Sequence, residues 1–226
     1  RFSVEIAEEL LSRRVKLLVV ACNSATSAAL EALRQRMMAT TLGVEVLGVV
    51  RPEAVRAVAA TRSGRIGLLA TPTTVASRAY ERAVHTVDQH VTLTAVPCPA
   101  LAPMIQAGEQ FDERVVSSVR EACSPLKAAG VDTVILGCTH YPLVAPLLQR
   151  MLGPGVTLVS SGAALARQVE HVLSTRELRN PREGEGEYSF LCTGDPEAFR
   201  EQATRFLQMP LGPVEQVRLV GAEAVV

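Results

Sequence analysis

Val131-Asp132-Thr133-Val134-Ile135-Leu136-Gly137-Cys138-Thr139-His140 is a continuous apolar run, rich in β-branched side chains, that passes a small residue and stops at a cysteine. A second stretch repeats it: Val15-Lys16-Leu17-Leu18-Val19-Val20-Ala21-Cys22-Asn23-Ser24. In both, the Cys comes seven residues after the opening Val, and polar hydrogen-bonding residues follow it. Strands that are apolar throughout, rather than alternating, belong to parallel sheets covered by helices on both faces. Two thiols at equivalent strand ends, in two related halves of a chain, can face each other across one cleft.

Outward from these runs, strands and helices alternate. Phe2, Ile6 and Leu10 recur at four-residue spacing, which predicts an amphipathic helix. Val15–Ala21 reads as a buried strand, and Asn23 or Ser24 as the cap of a helix over Ser27–Met37. Val44–Val50 is a strand, Pro52 opens a helix over Glu53–Thr61, and Arg65–Ala70 is a third strand leading through Thr71 to Thr74 into a helix around Ser77–Val84. Strands follow at Val91–Val96, Val131–Leu136 and Val156–Ser160, with helices at Val115–Ala129, Leu143–Met151 and Ala163–Ser174. Arg179–Glu187 is polar and reads as an exposed loop. Then come a strand at Tyr188–Cys192, a helix capped by Asp195, and a closing edge strand at Val214–Val220. The expected architecture is α/β, as two pseudo-symmetric three-layer domains with mainly parallel sheets and the active site between them. The first domain would be discontinuous, 1–51 plus 155–226, and the second 52–154.

Bulk composition narrows the function. The 226 residues are 48% hydrophobic and 20% charged with a formal net charge of zero, which fits a globular protein and argues against a dedicated nucleic-acid or anionic-membrane binder. No apolar run approaches the roughly 20 residues of a membrane span, and Arg1-Phe2-Ser3-Val4-Glu5-Ile6 lacks the layout of a signal peptide. A cytoplasmic location is expected. The five cysteines are odd in number, widely spaced and without CxxC, which disfavours a disulfide framework or a zinc ribbon. Lys16 and Lys127 are the only lysines, and neither is placed as a Schiff-base lysine, which disfavours pyridoxal phosphate. There is no GxGxxG and no Walker loop. No cofactor and no metal are expected.

In open α/β sheets ligands bind beyond the carboxyl ends of the strands. Cys22 and Cys138 both fall there, at helix entries where free N–H groups favour a thiolate. One thiolate can act as base while the opposite thiol acts as acid. Cys98, Cys123 and Cys192 read instead as small buried hydrophobes. Asn23, Ser24, Thr139 and His140 follow the two cysteines and suit a carboxylate, although Asn23 and Ser24 serve equally well as plain helix caps. His140, two residues beyond Cys138, reaches the same cavity in an extended segment, where it can serve as a proton source or as a cation near the substrate; a histidine packed against a backbone carbonyl is the alternative. A zinc site from Cys22, Cys138 and His140 lacks a compact ligand spacing. His85, His90 and His171 read as solvent-facing. Thr71 and Thr74 bracket a third strand-to-helix turn and could hold a second carboxylate, or simply cap.

Ala21-Cys22-Asn23-Ser24-Ala25 and Leu136-Gly137-Cys138-Thr139-His140-Tyr141-Pro142-Leu143 resemble the two cysteine motifs of glutamate racemases, in the cofactor-independent aspartate/glutamate racemase superfamily. Gly64-Arg65-Ile66-Gly67 through Thr71 and Thr74, Val131-Asp132-Thr133 and Thr157-Leu158-Val159-Ser160-Ser161 extend the resemblance over almost the whole chain. It implies two-base racemisation of glutamate, with Cys22 serving D-glutamate and Cys138 L-glutamate. It also implies that Asn23, Ser24, Thr71, Thr74, Thr139 and His140 line the substrate pocket, and that the product feeds peptidoglycan synthesis. The expected partner is the small-molecule substrate, without membrane or nucleic acid, and a homodimer stays open. Two departures stand out. Family members usually begin with a strand ending in Asp-Ser-Gly and later carry Pro-Tyr-Gly; neither occurs here, so weak or no activity is expected of the 226 residues. Gln106 stands where many relatives have a Glu, which leaves His140 less favoured as a cation. A racemase for aspartate or another amino acid, a non-catalytic binding fragment, and a cysteine hydrolase using Cys138 and His140 are the alternatives.

Overall fold

A computed structural model describes residues 1–40, 43–108 and 112–219. Backbone contacts divide the chain into two compact units, one formed by Arg1–Val15 with Arg179–Val226 and the other by Lys16–Leu178.

The larger unit holds two parallel sheets. β1 (Leu17–Val20) pairs with β2 (Glu45–Gly48), and a four-stranded sheet runs in the order β4 (Thr92–Pro97), β3 (Arg65–Ala70), β5 (Thr133–Gly137), β6 (Thr157–Val159). The β6 strand therefore hydrogen-bonds to β5 and lies in the second sheet. The central strands β3 and β5 are buried on both sides, as their unbroken apolar runs require. Successive side chains go to opposite faces. Leu69, Val134 and Leu136 pack with Leu101, Ile105, Val119, Leu126 and Leu148, while Ile66, Leu68, Ala70 and Ile135 pack with Ala54, Ala57, Tyr80, Val84 and Leu165. The first set lies under α6 (Leu101–Gln106), α7 (Glu113–Ala128) and α8 (Ala145–Leu152), the second under α3 (Val50–Ala60), α5 (Ala79–Val87) and α9 (Gly162–Thr175). Fully burying each Leu or Ile contributes about 1.5–3 kcal/mol.

Two glycines set how closely these layers approach. A Cβ on Gly137, the last residue of β5, would lie 2.7 Å from Leu68 Cδ1 and 3.1 Å from Ala70 Cβ. A Cβ on Gly48 would lie 2.6 Å from Thr26 Cγ2, so α2 (Asn23–Met38) rests directly on β2.

Several elements differ from their expected extents. The helix α3 begins at Val50 rather than Glu53, so Pro52 falls in its first turn, where no N–H is needed. The helix expected around Ser77–Val84 is two: α4 (Pro72–Ala76), capped by Thr71, and α5, separated at Arg78, which adopts φ 53°. A 3-10 turn over Tyr141–Val144 precedes α8. No element was expected between Val96 and Val115, yet α6 forms there, with Pro103 tolerated in its first turn.

In the smaller unit, α1 (Phe2–Ser12) accompanies β7 (Phe190–Cys192), α10 (Pro196–Leu207) and β8 (Val214–Gln216). β7 and β8 pair in parallel, and Asp195 caps α10 by accepting from the Glu197 N–H. Arg13 makes a two-pronged contact with Glu215, at 2.8 and 2.6 Å. The closing strand is shorter than expected, and Val220 lies outside the described residues. The segment Arg179–Glu187 is exposed and without regular structure, as its polarity suggests.

Candidate active site

The candidate residues gather at the carboxyl ends of β1, β3 and β5, where an open α/β sheet places its ligands. The pairing of Ala70 with Gly137 sets Thr71 and Cys138 side by side, each the first residue past its strand. Beyond β1, the N-cap of α2 is neither Asn23 nor Ser24, as expected, but Cys22 itself. With φ −83° and ψ 125°, its sulfur accepts from the Ala25 N–H at 3.5 Å. The first intrahelical bond runs from Thr26 N to Cys22 O, so the N–H groups of Asn23 and Ser24 have no helical acceptor. Cys22 is exposed at this helix end.

Ser24, Thr71 and Thr74 form a closed triangle of hydroxyls. The oxygens of Ser24 and Thr71 are 2.8 Å apart, those of Ser24 and Thr74 3.1 Å, and those of Thr71 and Thr74 3.0 Å. Three hydroxyls in mutual contact can turn their hydrogens toward an anion with little rearrangement.

Cys138 is buried, at 8% exposure, and burial pushes its thiol pKa up. The N–H groups of His140 and Tyr141 and the Thr139 hydroxyl pull the other way, while negative charge on Cys22 pushes it further up. His140 Nδ1 lies 3.7 Å from the Cys138 sulfur, and burial lowers the histidine pKa, which favours the neutral ring. Thr139 is exposed. Cys98, Cys123 and Cys192 are buried, and burial raises the thiol pKa of Cys98 and of Cys123 to about 11. His85, His90 and His171 are exposed.

Asn23 departs from expectation. It is 1% exposed and turns inward, where its Nδ2 donates to Glu53 Oε2 at 3.0 Å and to the Tyr80 hydroxyl at 2.7 Å. Tyr80 in turn donates to the same Glu53 oxygen. Burial pushes the Glu53 carboxyl up to about 8, against the Tyr80, Ser161 and Asn23 donors that pull it down. The sequence reading missed Glu53 and Tyr80. The available signal was the placement of Glu53 on the stripe of α3 that also carries Val50, Ala54 and Ala57, a stripe that is otherwise apolar.

Among the described residues, no group of three His, Cys, Asp or Glu side chains is placed to hold a metal ion, and no helix is long and apolar enough to cross a membrane. A separate cavity of about 650 Å³ in the smaller unit, lined by Ile6, Leu10, Phe190, Phe199 and Val217, contains neither Cys22 nor Cys138.

Residues 3–169 match the Asp/Glu/Hydantoin racemase family model. The glutamate racemase of Geobacter metallireducens is 41% identical over 219 residues, which cover 97% of this chain and 79% of that protein. The crystal structure of a glutamate racemase isoform from Bacillus anthracis superimposes with a TM-score of 0.89 at 33% identity, covering 96% of this chain and 79% of the other. The glutamate racemase from Francisella tularensis, solved in complex with D-glutamate, gives a TM-score of 0.86 at 25% identity, covering 96% and 79%. With the family model spanning most of its length and cysteines ending two of its parallel strands, this chain belongs to the Asp/Glu/hydantoin racemase family.

Proposed function

We propose that the chain is a glutamate racemase that interconverts L- and D-glutamate by a two-base mechanism with Cys22 and Cys138 as the bases. The observation that carries this reading is geometric: Ser24, next but one to Cys22, bonds to Thr71, and Thr71 lies beside Cys138 where β3 and β5 end, so the two cysteine-bearing turns meet at one opening. Negative charge on Cys22 acts to raise the pKa of Cys138, and the reaction proceeds from a state with one thiolate and one thiol. Two-base racemisation needs that state. The thiolate removes the α-proton from one face and becomes a thiol. The opposite thiol delivers its proton to the other face and becomes the thiolate. The proton count of the pair is unchanged: one S–H bond forms and the other breaks as the α-C–H bond is broken on one face and remade on the other. Cys22 acts on D-glutamate and Cys138 on L-glutamate.

General acid–base catalysis contributes only about 10²–10⁴-fold, so fixed dipoles must stabilise most of the carbanion character. The hydroxyl triangle of Ser24, Thr71 and Thr74, together with the first-turn N–H groups of α2, suits one carboxylate of the substrate. Thr139 and His140 flank the other thiol, with the neutral His140 ring adding a polar wall rather than a charge. In this reading the two thiols face each other across the opening at the carboxyl ends of β1 and β5. The product, D-glutamate, supplies peptidoglycan synthesis.

The test is incubation with L-glutamate in D₂O, following α-deuterium incorporation by NMR together with optical rotation. Deuteration with loss of rotation supports the reading, and Cys22→Ser and Cys138→Ser each abolish racemisation. Racemisation that persists in either variant sinks the two-base assignment.

A further inference from the structure

Asn23, Glu53 and Tyr80 come from three different helices, α2, α3 and α5, and meet with exposures of 1%, 0% and 0%. Their hydrogen bonds close a ring with consistent directions. Asn23 Nδ2 gives one hydrogen to Glu53 Oε2 and the other to the Tyr80 oxygen, and the Tyr80 hydroxyl gives its hydrogen to Glu53 Oε2. An amide nitrogen has only two hydrogens, so both donors of Asn23 are spent inside the protein. A carboxylate bound at the start of α2 therefore meets the backbone N–H groups and the hydroxyls of Ser24, Thr71 and Thr74, not the Asn23 amide.

We infer that Glu53 and Tyr80 are positioning residues for the proposed reaction: by holding both Asn23 amide hydrogens they fix the first turn of α2, and with it the Cys22 sulfur and the Ser24 hydroxyl. The inference rests on the two-cysteine reading for its effect on turnover, and on geometry alone for its effect on Cys22. Asn23 lies between Cys22 and Ser24 and anchors the start of that turn from below, while Thr26, bonded to Val20 O and the Val49 N–H, anchors its end. Ser24 is tied only to other side chains at the surface of the site, and Cys22 is exposed. Loss of the anchor frees the turn to shift relative to Cys138 and Thr71. Misplacement of a reacting group by about 1 Å costs roughly 10²-fold in rate.

Four variants separate positioning from simple packing. Tyr80→Phe removes one acceptor of the Asn23 amide and keeps the ring. Glu53→Leu removes the other acceptor at similar volume. Glu53→Gln keeps a side-chain oxygen able to accept from Asn23 and Tyr80. Val84→Ala truncates the same buried cluster without touching the ring of hydrogen bonds. Racemisation kinetics and the rate of Cys22 alkylation by iodoacetamide, mapped by mass spectrometry, are measured for each. The expected result is a fall in kcat/KM of about ten-fold or more in Tyr80→Phe and Glu53→Leu, recovered in Glu53→Gln and absent in Val84→Ala, with the Cys22 alkylation rate shifting in the same two variants. Alkylation and turnover in Tyr80→Phe and Glu53→Leu matching those of Val84→Ala would overturn the inference, as would a Glu53→Gln protein that behaves like Glu53→Leu. A wild-type protein without α-proton exchange refutes the racemase reading, while the alkylation rates still decide the positioning role.

Discussion

Glu53→Gln should remove a pH dependence of folding whose size follows from the structure. The carboxyl is fully buried, and burial lifts it from 4.5 to about 8. At 1.36 kcal/mol per pH unit, this is a term of about 5 kcal/mol in all. The sign follows from proton counts. Above about pH 4.5 the unfolded chain loses the Glu53 proton, while the native protein keeps it until about pH 8. Native molecules bind more protons across that window, so the wild-type protein loses stability as pH rises through it and levels off above. Between about pH 5 and pH 8 the loss amounts to roughly 3–4 kcal/mol. His140, whose pKa burial lowers, contributes with the opposite sign near its ordinary range, but equally in both proteins. Urea denaturation of wild type and Glu53→Gln at the two pH values isolates the Glu53 contribution as a difference of differences. Identical pH slopes within about 1 kcal/mol would show that Glu53 is ionised in the native state and would refute the reasoning.

Gly137→Ala should destabilise by about 1–3 kcal/mol through overpacking, because the new methyl would meet Leu68 Cδ1 at 2.7 Å, and it should also slow racemisation by displacing Cys138; thermal melting and turnover read the two effects. Leu68→Ala should cost about 2–5 kcal/mol as a buried cavity, measured by the same denaturation, with Leu68 fully buried between β3 and its covering helices. Asp132 accepts from the Thr61 hydroxyl at 2.5 Å and from the N–H groups of Arg62 and Ser63 at 2.8 and 2.7 Å, fixing the turn between α3 and β3. Although burial acts to raise the Asp132 carboxyl, these donors hold it below the usual carboxylate range, so the stability it contributes is present above about pH 4 and is lost as pH falls. Asp132→Asn should flatten that acid limb of the stability profile. Iodoacetamide should modify Cys22 first among the five cysteines, since the other four are buried, and a digest that finds Cys138 modified first would contradict the exposures.

Much of this was legible in local patterns. The apolar runs ending at Cys22 and Cys138 predicted parallel strands, and both cysteines stand just past such strands, although only Cys22 is at a helix entry; Cys138 lies in the turn before the 3-10 segment at Tyr141–Val144. That reading needs only the two-residue period of a strand and the short reach from its last residue to the next turn. Local reading erred where a helix boundary depends on its neighbours. The break at Arg78 and the short helix α6 after Pro99 each follow from how the chain packs on the sheet rather than from propensity.

The sequence by itself determined which residues lie at the strand ends and which family the chain resembles, because strand period, turn residues and cysteine spacing are properties of contiguous chain. Only the tertiary structure decided what those residues do there. It made Cys22 its own helix cap, joined Ser24 to Thr71 and Thr74, and turned Asn23 away from the opening toward Glu53 and Tyr80. Glu53 lies 30 positions along the chain from Asn23 and Tyr80 lies 57. No local rule aims three helices at one point. Their meeting follows from how α2, α3 and α5 pack on the sheets, and the bonds among them offset part of the cost of burying a carboxyl, an amide and a phenol.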